Sequence, residues 1–215
     1  KDQIAYIIGK GDKETIKRFK ERNNAAGWYL QQLLKLYSPL VIPNISSNVL
    51  VLDSDTIFMN PVEFLNESNG ALFCYKHKGT RKKEYYLHAQ RFLPNYRTIE
   101  PYPVCHHMLF QRPILKDLFR TIERYHGTEL WRAFCACVNF DKHKKAASEY
   151  EIYYNFAFTH TDQVSLRHLS WRTSAELDEK DIYKQQGFHF VTFHSFMRDK
   201  KRAREVKAKQ NLESK

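Results

Sequence analysis

Residues 48–65 read NVLVLDSDTIFMNPVEFL, in which four apolar residues lead directly to two aspartates separated by one serine. A continuous apolar run is typical of a central strand that is covered on both faces of a sheet. Buried carboxylates are costly unless a positive group meets them. The stretch therefore predicts a strand that ends near Leu52 and delivers Asp53 and Asp55 to the carboxyl edge of a sheet, where open α/β sheets bind ligands.

The rest of the chain alternates between helix and strand patterns. Leu30, Leu33, Leu34 and Tyr37 have the spacing of an amphipathic helix, which Pro39 is expected to end. Helices are also expected from Pro113 toward residue 125, over 127–138 and from Glu149, where Ser148 and Glu151 have the spacing of a capping box. Strands are expected within residues 4–9, 70–76, 104–111, 164–171 and 188–196.

This alternation indicates the α/β class, with a central mixed, mostly parallel sheet flanked by helices. A length of 215 residues supports one sizeable core but hardly two independent domains. We predict a single domain over residues 1–197, followed by a basic C-terminal helix or tail over 198–215.

The composition narrows the classes of partner and compartment. A net charge of +11, concentrated in residues 76–83 and 198–210, calls for an anionic partner such as a phosphorylated small molecule, nucleic acid or an acidic membrane surface. No run approaches the roughly 20 apolar residues of a membrane span. The four cysteines lack paired zinc-ligand spacing, so we expect free thiols and a soluble protein in the reducing cytoplasm.

The aspartate pair predicts a divalent cation. In an extended segment, Asp53 and Asp55 project to the same side, and two adjacent carboxylates resist joint ionisation unless a cation lies between them. Mg²⁺ or Mn²⁺ takes oxygen ligands and commonly completes its shell with substrate phosphates. The alternative is that the Asp-Ser-Asp triplet merely forms the following turn.

Four segments together carry a family resemblance. VLVLDSDTIFMNPVEF resembles the DxD segment of nucleotide-sugar-dependent glycosyltransferases with the GT-A fold. With GWYLQQLLKLY before it and HHMLF and SEYEIYYN after it, the pattern is similar to a glycosyltransferase-like group of bacterial and large-DNA-virus proteins. That group includes the N-terminal glycosyltransferase domain of a chlorella virus. The resemblance covers about residues 27–196, and a viral member would act in the host cytoplasm.

The resemblance implies a GT-A-like, Rossmann-like fold, a nucleoside diphosphate sugar donor, with UDP the expected nucleotide, and a glycan or glycoprotein acceptor. The cofactor would be Mn²⁺ or Mg²⁺. Only about 26 residues precede the first motif. We therefore expect either a shortened chain or an abbreviated base-binding edge, and the identity of the base stays open.

The resemblance also implies roles for individual residues. Asp55 would bind the metal, Asp53 would contact the metal or the ribose, and His194 would be a third ligand, although a lone histidine in an aromatic strand is often a packed core residue. Lys35, which shares a helix face with Gln31, would face the diphosphate or else be solvated. His107 would contact the sugar or the acceptor.

An inverting transfer needs a carboxylate that takes the proton from the attacking hydroxyl. Glu149 and Glu151 are the candidates, and the capping box occupies Glu151, which leaves Glu149 the freer of the two. Alternatively, both residues only complement the helix dipole. A retaining mechanism would not need this base, and the sequence leaves the stereochemistry open.

Two other functions compete with the transferase. The basic segments and the tyrosines would suit a nucleic-acid-binding module, although we expect no nucleic acid partner. Paired aspartates would also serve a metal-dependent phosphohydrolase or nucleotidyltransferase. The basic tail would allow peripheral contact with an anionic membrane, and we expect a monomer or one part of a longer multidomain chain.

Overall fold

The computed structural model describes residues 1–21, 25–75, 82–102, 105–140, 145–174, 179–194 and 197. Most of the basic segment 76–83 and the whole tail 198–215 lie outside the described residues. The described elements follow one another as α1 (Asp2–Ile8), α2 (Lys13–Glu21), α3 (Ala25–Val41), β1 (Asn48–Leu52), β2 (Thr56–Phe58), β3 (Leu72–Tyr75), α4 (Lys83–Phe92), β4 (His107–Gln111), α5 (Arg112–His126), α6 (Leu130–Ala136), α7 (Glu149–His160), β5 (Ser165–His168), β6 (Trp171–Thr173), α8 (Lys180–Gln185) and β7 (Phe190–Thr192).

The α/β class is confirmed, but the described strands form three small sheets where one central sheet was expected. β1 pairs with β4, β3 pairs with β5, and the third sheet has the order β2-β7-β6. In that third sheet, β7 runs antiparallel to β2 and parallel to β6. The described strands are three to five residues long, which limits the ladder that each can contribute.

The chain divides into two compact units. The first unit comprises Lys1–Val51 and Phe64–Leu166, and the second comprises Leu52–Glu63 and Arg167–Lys215. The first unit has a large core rich in aromatic side chains, whose fully buried members include Tyr29, Phe73, Phe92, Phe110, Phe134 and Tyr153. The second unit has a small core of Tyr183, Val191 and Phe193. The predicted domain bounds, 1–197 and 198–215, stay a prediction.

Residues 4–9 were expected to form a strand, and this prediction is wrong because they belong to helix α1 and its C-terminal cap. Ile4, Ala5 and Ile8 are buried, which is the spacing of one helix face. A short apolar run fits a buried helix as well as a buried strand, so periodicity alone does not separate the two.

Helix α3 differs from its expected form in two ways. It continues past Pro39 to Val41, and Leu34 is exposed. The buried face is formed instead by Tyr29, Gln32, Leu33 and Leu36, so the expected stripe is rotated. Pro39 lies in the last turn, where a missing N–H removes one hydrogen bond without breaking the turns before it.

Within the described residues, no helix has both the length and the apolar content to cross a bilayer. The free thiols are confirmed, since all four cysteines are unbridged.

Gly70 provides a stability test of the turn that precedes β3. The Asn66 carboxamide oxygen accepts the Gly70 N–H at 2.8 Å, and a Cβ at Gly70 would lie 1.8 Å from the Gln163 carbonyl oxygen. Because backbone has to move to admit a methyl group, Gly70→Ala should lower the free energy of unfolding by about 2 kcal/mol in urea denaturation.

The matched control is Gly127→Ala. Gly127 has a left-handed φ of 65° but open space around it, so only the conformational cost of about 1 kcal/mol applies. If Gly70→Ala were no more harmful than this control, the contact with Gln163 would not limit the site.

Candidate functional site

The Asp-Ser-Asp triplet forms a turn between two strands. β1 ends at Leu52, β2 begins at Thr56, and the Thr56 N–H donates to the Asp53 carbonyl oxygen at 3.0 Å. The prediction of an extended segment with alternating side chains is therefore wrong, because a closed turn replaces the strand geometry. The expected cover on both faces of β1 is also wrong, since Val51 is its one buried residue and Leu52 is exposed.

Asp55 and His194 meet in the second unit, although 139 residues separate them in sequence. The Asp55 Oδ2 lies 2.9 Å from the His194 Nδ1. The pairing of β2 with β7 holds these two segments of the chain together, and the Phe193 N–H donates to the Asp55 carbonyl oxygen at 2.8 Å. With side chains 32% and 24% exposed, Asp55 and His194 are sheltered yet within reach of a ligand.

The second carboxylate oxygen of Asp55 is the feature that points to a ligand. Oδ1 is buried and has no hydrogen-bond partner in the part of the chain that the structure describes. A buried carboxylate oxygen without a partner carries a desolvation cost that a cation would offset. A bound cation is therefore one physical explanation for this orphaned atom.

The donor set combines one carboxylate oxygen, which suits Mg²⁺ or Mn²⁺, with one imidazole nitrogen, which suits softer divalent ions. The 2.9 Å contact between the Asp55 Oδ2 and the His194 Nδ1 is a hydrogen bond, and a cation held by both atoms would replace it. Among the described residues, no group of three or more His, Cys, Asp or Glu side chains is arranged to hold a metal ion. An ion held here would therefore complete its shell with substrate oxygens or water, as Mg²⁺ commonly does. Asp53, the other predicted ligand, is half-buried in the same turn.

A second polar cluster lies in the first unit, at the start of α7. Glu149 is buried, and its Oε1 lies 2.7 Å from the Lys35 Nζ. The same ammonium donates to the Tyr150 hydroxyl at 3.3 Å and lies 4.4 Å from the centre of the Tyr150 ring. The Glu149 N–H donates to the Gln32 side-chain oxygen at 3.3 Å. Both the carboxylate and the backbone of Glu149 are thus held by residues of α3.

Glu151 is also buried, one position beyond Tyr150. The Ser148 half of the expected capping box is confirmed, because the Glu151 N–H donates to the Ser148 Oγ at 3.4 Å. The Glu151 Oε1 accepts hydrogen bonds from the Tyr96 hydroxyl at 2.8 Å and from the Tyr154 hydroxyl at 3.1 Å. The first turn of α7 therefore carries two buried carboxylates with different partners, a lysine for one and two phenols for the other.

Two predicted contact residues lie in contrasting environments. Gln31 is exposed, whereas its neighbour Gln32 is buried against Glu149. His107 is buried, with its ring edge-on to Phe64 at a centroid distance of 5.6 Å. The sugar contact predicted for His107 and the diphosphate contact predicted for Lys35 and Gln31 stay predictions.

Sequence reasoning did not single out Gln32 or the tyrosines that bind Glu151. The signal for Gln32 was its position inside the apolar pattern of α3, where a polar side chain on the buried face needs a partner. Tyr96 carries no comparable local signal, because its bond to Glu151 joins residues 55 positions apart.

Residues 3–208 match DUF6492, a family of unknown function. The chain belongs to the DUF6492 family. No curated protein matches it.

In this DUF6492 member, the two clusters offer different chemistry. The Asp55–His194 pair offers one oxygen and one nitrogen ligand. Both side chains are partly exposed, which suits a cation that also binds an anionic ligand from solution. The α7 cluster offers two buried acidic side chains, of which Glu149 is ion-paired with Lys35 and Glu151 accepts hydrogen bonds from two phenols, so both are held in fixed positions.

Proposed function

We propose that this DUF6492 member is a metal-dependent glycosyltransferase of the GT-A type. It transfers a sugar from a nucleoside diphosphate sugar, with UDP as the expected nucleotide, to a hydroxyl group of a glycan. One observation carries the proposal: Asp55 and His194, the residues expected to bind one cation, lie 2.9 Å apart although they are 139 positions apart in sequence. The buried, unpartnered Oδ1 of Asp55 in the described part of the chain adds to it.

Mn²⁺ or Mg²⁺ would be held by Asp55 and His194, with Asp53 as a further ligand or a ribose contact. When bound, the ion supplies positive charge that neutralises the leaving diphosphate. Asp55 contributes a carboxylate whose backbone is fixed by the β2–β7 pairing, so the ligand atom is held in position before the donor arrives. The partial exposure of both side chains leaves room for the phosphates of the donor.

The assignment of Glu149 or Glu151 as the base of an inverting transfer stays a prediction. Glu149 is ion-paired with Lys35, and Glu151 accepts bonds from two phenols, so either carboxylate would have to exchange a partner to take a proton. The glycan acceptor and the cytoplasmic location are likewise part of the proposal.

The test is a thermal-shift panel of UDP, GDP, CDP and their sugars, each with Mn²⁺ and with EDTA. A ligand at about 100 times its Kd stabilises the native state by about 2.7 kcal/mol, which corresponds to roughly 5–10 °C for a chain of this size. We expect UDP to give this shift with Mn²⁺ only, and Asp55→Ala to abolish it. The matched control, Asp162→Ala, removes an exposed carboxylate and should keep the full shift.

Stabilisation by UDP that persists with EDTA, or in the Asp55→Ala variant, would contradict the proposed metal site. Product analysis then separates the reaction classes. Release of UDP together with a transferred sugar supports the transferase, whereas release of UMP and a sugar phosphate would identify a phosphohydrolase.

A further inference from the structure

A groove of about 360 Å³ opens beside α5 in the first unit. Its lining is dominated by charged residues and comprises Ser47, Arg112, Pro113, Lys116, Asp117 and Arg120. None of these residues belongs to the Asp55–His194 pair or to the cluster at the start of α7. The groove is therefore a separate feature of the surface.

The three cations of the groove lie on one face of α5. Arg112, Lys116 and Arg120 follow one another at intervals of four residues, so their Cα atoms are spaced by about 6 Å along the helix axis. Like charges at this spacing destabilise a helix. Asp117 pairs with Arg120 and offsets one of the three charges.

Arg112 also occupies an unfavourable position for a cation. It begins α5, where the helix dipole is positive, and the first turn contains no acidic residue. One face of α5 therefore has two unfavourable arrangements of charge: like charges four residues apart, and a cation at the helix N-terminus. Natural proteins keep such arrangements chiefly at functional sites, and a bound anion would relieve both of them.

The Arg112 side chain is held in place but poorly neutralised. Its Nη1 donates to the Ile45 carbonyl oxygen at 3.3 Å, and its backbone N–H donates to the Ser47 carbonyl oxygen at 2.8 Å. Among the described residues, no carboxylate pairs with the guanidinium, and the buried Nε has no acceptor. A planar guanidinium fixed in this way is suited to phosphate oxygens.

We propose that this groove binds a phosphate monoester group, independently of the metal site. Three cations against one carboxylate match the charge of about −1.5 to −2 that a phosphate monoester carries at pH 7. The same chemistry is offered by a soluble phosphate ester and by a lipid headgroup such as that of phosphatidic acid. The experiment below distinguishes these two sources.

The first measurement is calorimetric titration of the full chain with inorganic phosphate at low ionic strength. The Lys116→Gln/Arg120→Gln variant should bind phosphate about tenfold more weakly, because it loses two of the three cations. The matched control, Lys13→Gln/Lys17→Gln, removes two exposed lysines at the same spacing on α2 and should bind as the unmodified chain does. EDTA should have no effect.

A charge reversal provides a second variant. Lys116 is exposed, so Lys116→Glu should fold normally and weaken phosphate binding at least about tenfold, as the double variant does, whereas Lys17→Glu should retain it. Thermal unfolding of each variant checks that the fold is intact.

Flotation with vesicles then identifies the source of the phosphate. Phosphatidylcholine vesicles with and without phosphatidic acid are compared for the unmodified chain and for Lys116→Gln/Arg120→Gln. If the variant loses binding to vesicles that contain phosphatidic acid, a lipid headgroup is supported. If it loses binding to phosphate in solution and its vesicle binding is unchanged, a soluble ester is supported. No phosphate binding by the unmodified chain, or equal weakening in the α2 control, would overturn the proposal.

Discussion

Replacing Lys35 with methionine should lower the free energy of unfolding by about 3–5 kcal/mol, because the change leaves the Glu149 carboxylate buried without its cation. The side chains of Lys35 and Glu149 are only 13% and 2% exposed, and their charged atoms lie 2.7 Å apart. Water therefore has little access to stabilise the remaining charge. Urea denaturation of Lys35→Met and the unmodified chain measures the difference.

The partner variants show whether the loss comes from the unpaired charge. Glu149→Gln should also be destabilising, whereas Lys35→Met/Glu149→Gln should recover much of the lost stability, because no buried charge then lacks a partner. Lys17→Met is the matched control, since Lys17 pairs with Glu21 at 4.0 Å in an exposed pair and should cost less than about 1 kcal/mol. A loss of this small size in Lys35→Met would show that the ion pair contributes little.

The second large effect is a loss of stability in acid that is caused by His88. His88 is fully buried between helices, and its Nε2 lies 2.9 Å from the Phe134 carbonyl oxygen, so this nitrogen carries the proton of the neutral ring. In the described part of the chain, the buried Nδ1 has no hydrogen-bond partner. Burial lowers the pKa of His88 from 6.5 to about 4.

The sign of the effect follows from proton uptake. Between pH 6.5 and 4, the unfolded chain protonates this histidine and the folded chain does not, so the unfolded state gains stability as the pH falls. The contribution of neutral His88 is complete above pH 6.5, and about 3 kcal/mol is lost by pH 4.

Urea denaturation of the unmodified chain and of His88→Gln at a series of pH values tests this prediction. Carboxylates titrate in both proteins, so the difference between the two curves isolates His88, and it should change by about 3 kcal/mol across this range. His160→Gln, at the exposed end of α7, is the matched control and should follow the unmodified chain. Parallel curves for His88→Gln and the unmodified chain would show that His88 does not determine the acid lability.

Features with local causes were predictable from the sequence. The start of α7 follows from the Ser148 cap, and α5 follows from its apolar spacing after Pro113. The helix and cap over residues 4–9 were not predictable, because a short run of buried apolar residues is compatible with a helix and with a strand. The end of α3 was misplaced because Pro39 removes only one backbone hydrogen bond, and the helix continues for two residues beyond it.

Features that depend on residues distant in sequence were harder to predict from the sequence. The division of the strands into three sheets depends on pairings across long stretches of chain, which periodicity does not specify. Asp55 and His194 were brought together as candidate ligands by resemblance to a family and not by spacing. The bond between Tyr96 and Glu151 had neither a local pattern nor a family motif to indicate it.

The pairing of β2 with β7 also determines when Asp55 and His194 can meet during synthesis. Chains are made at about 5–20 residues per second, so the 139 residues that follow Asp55 up to and including His194 take roughly 7–28 s to add. During that interval the nascent chain carries the aspartate without its imidazole neighbour. A ligand that needs both side chains can therefore bind only after almost all of the described chain has been translated.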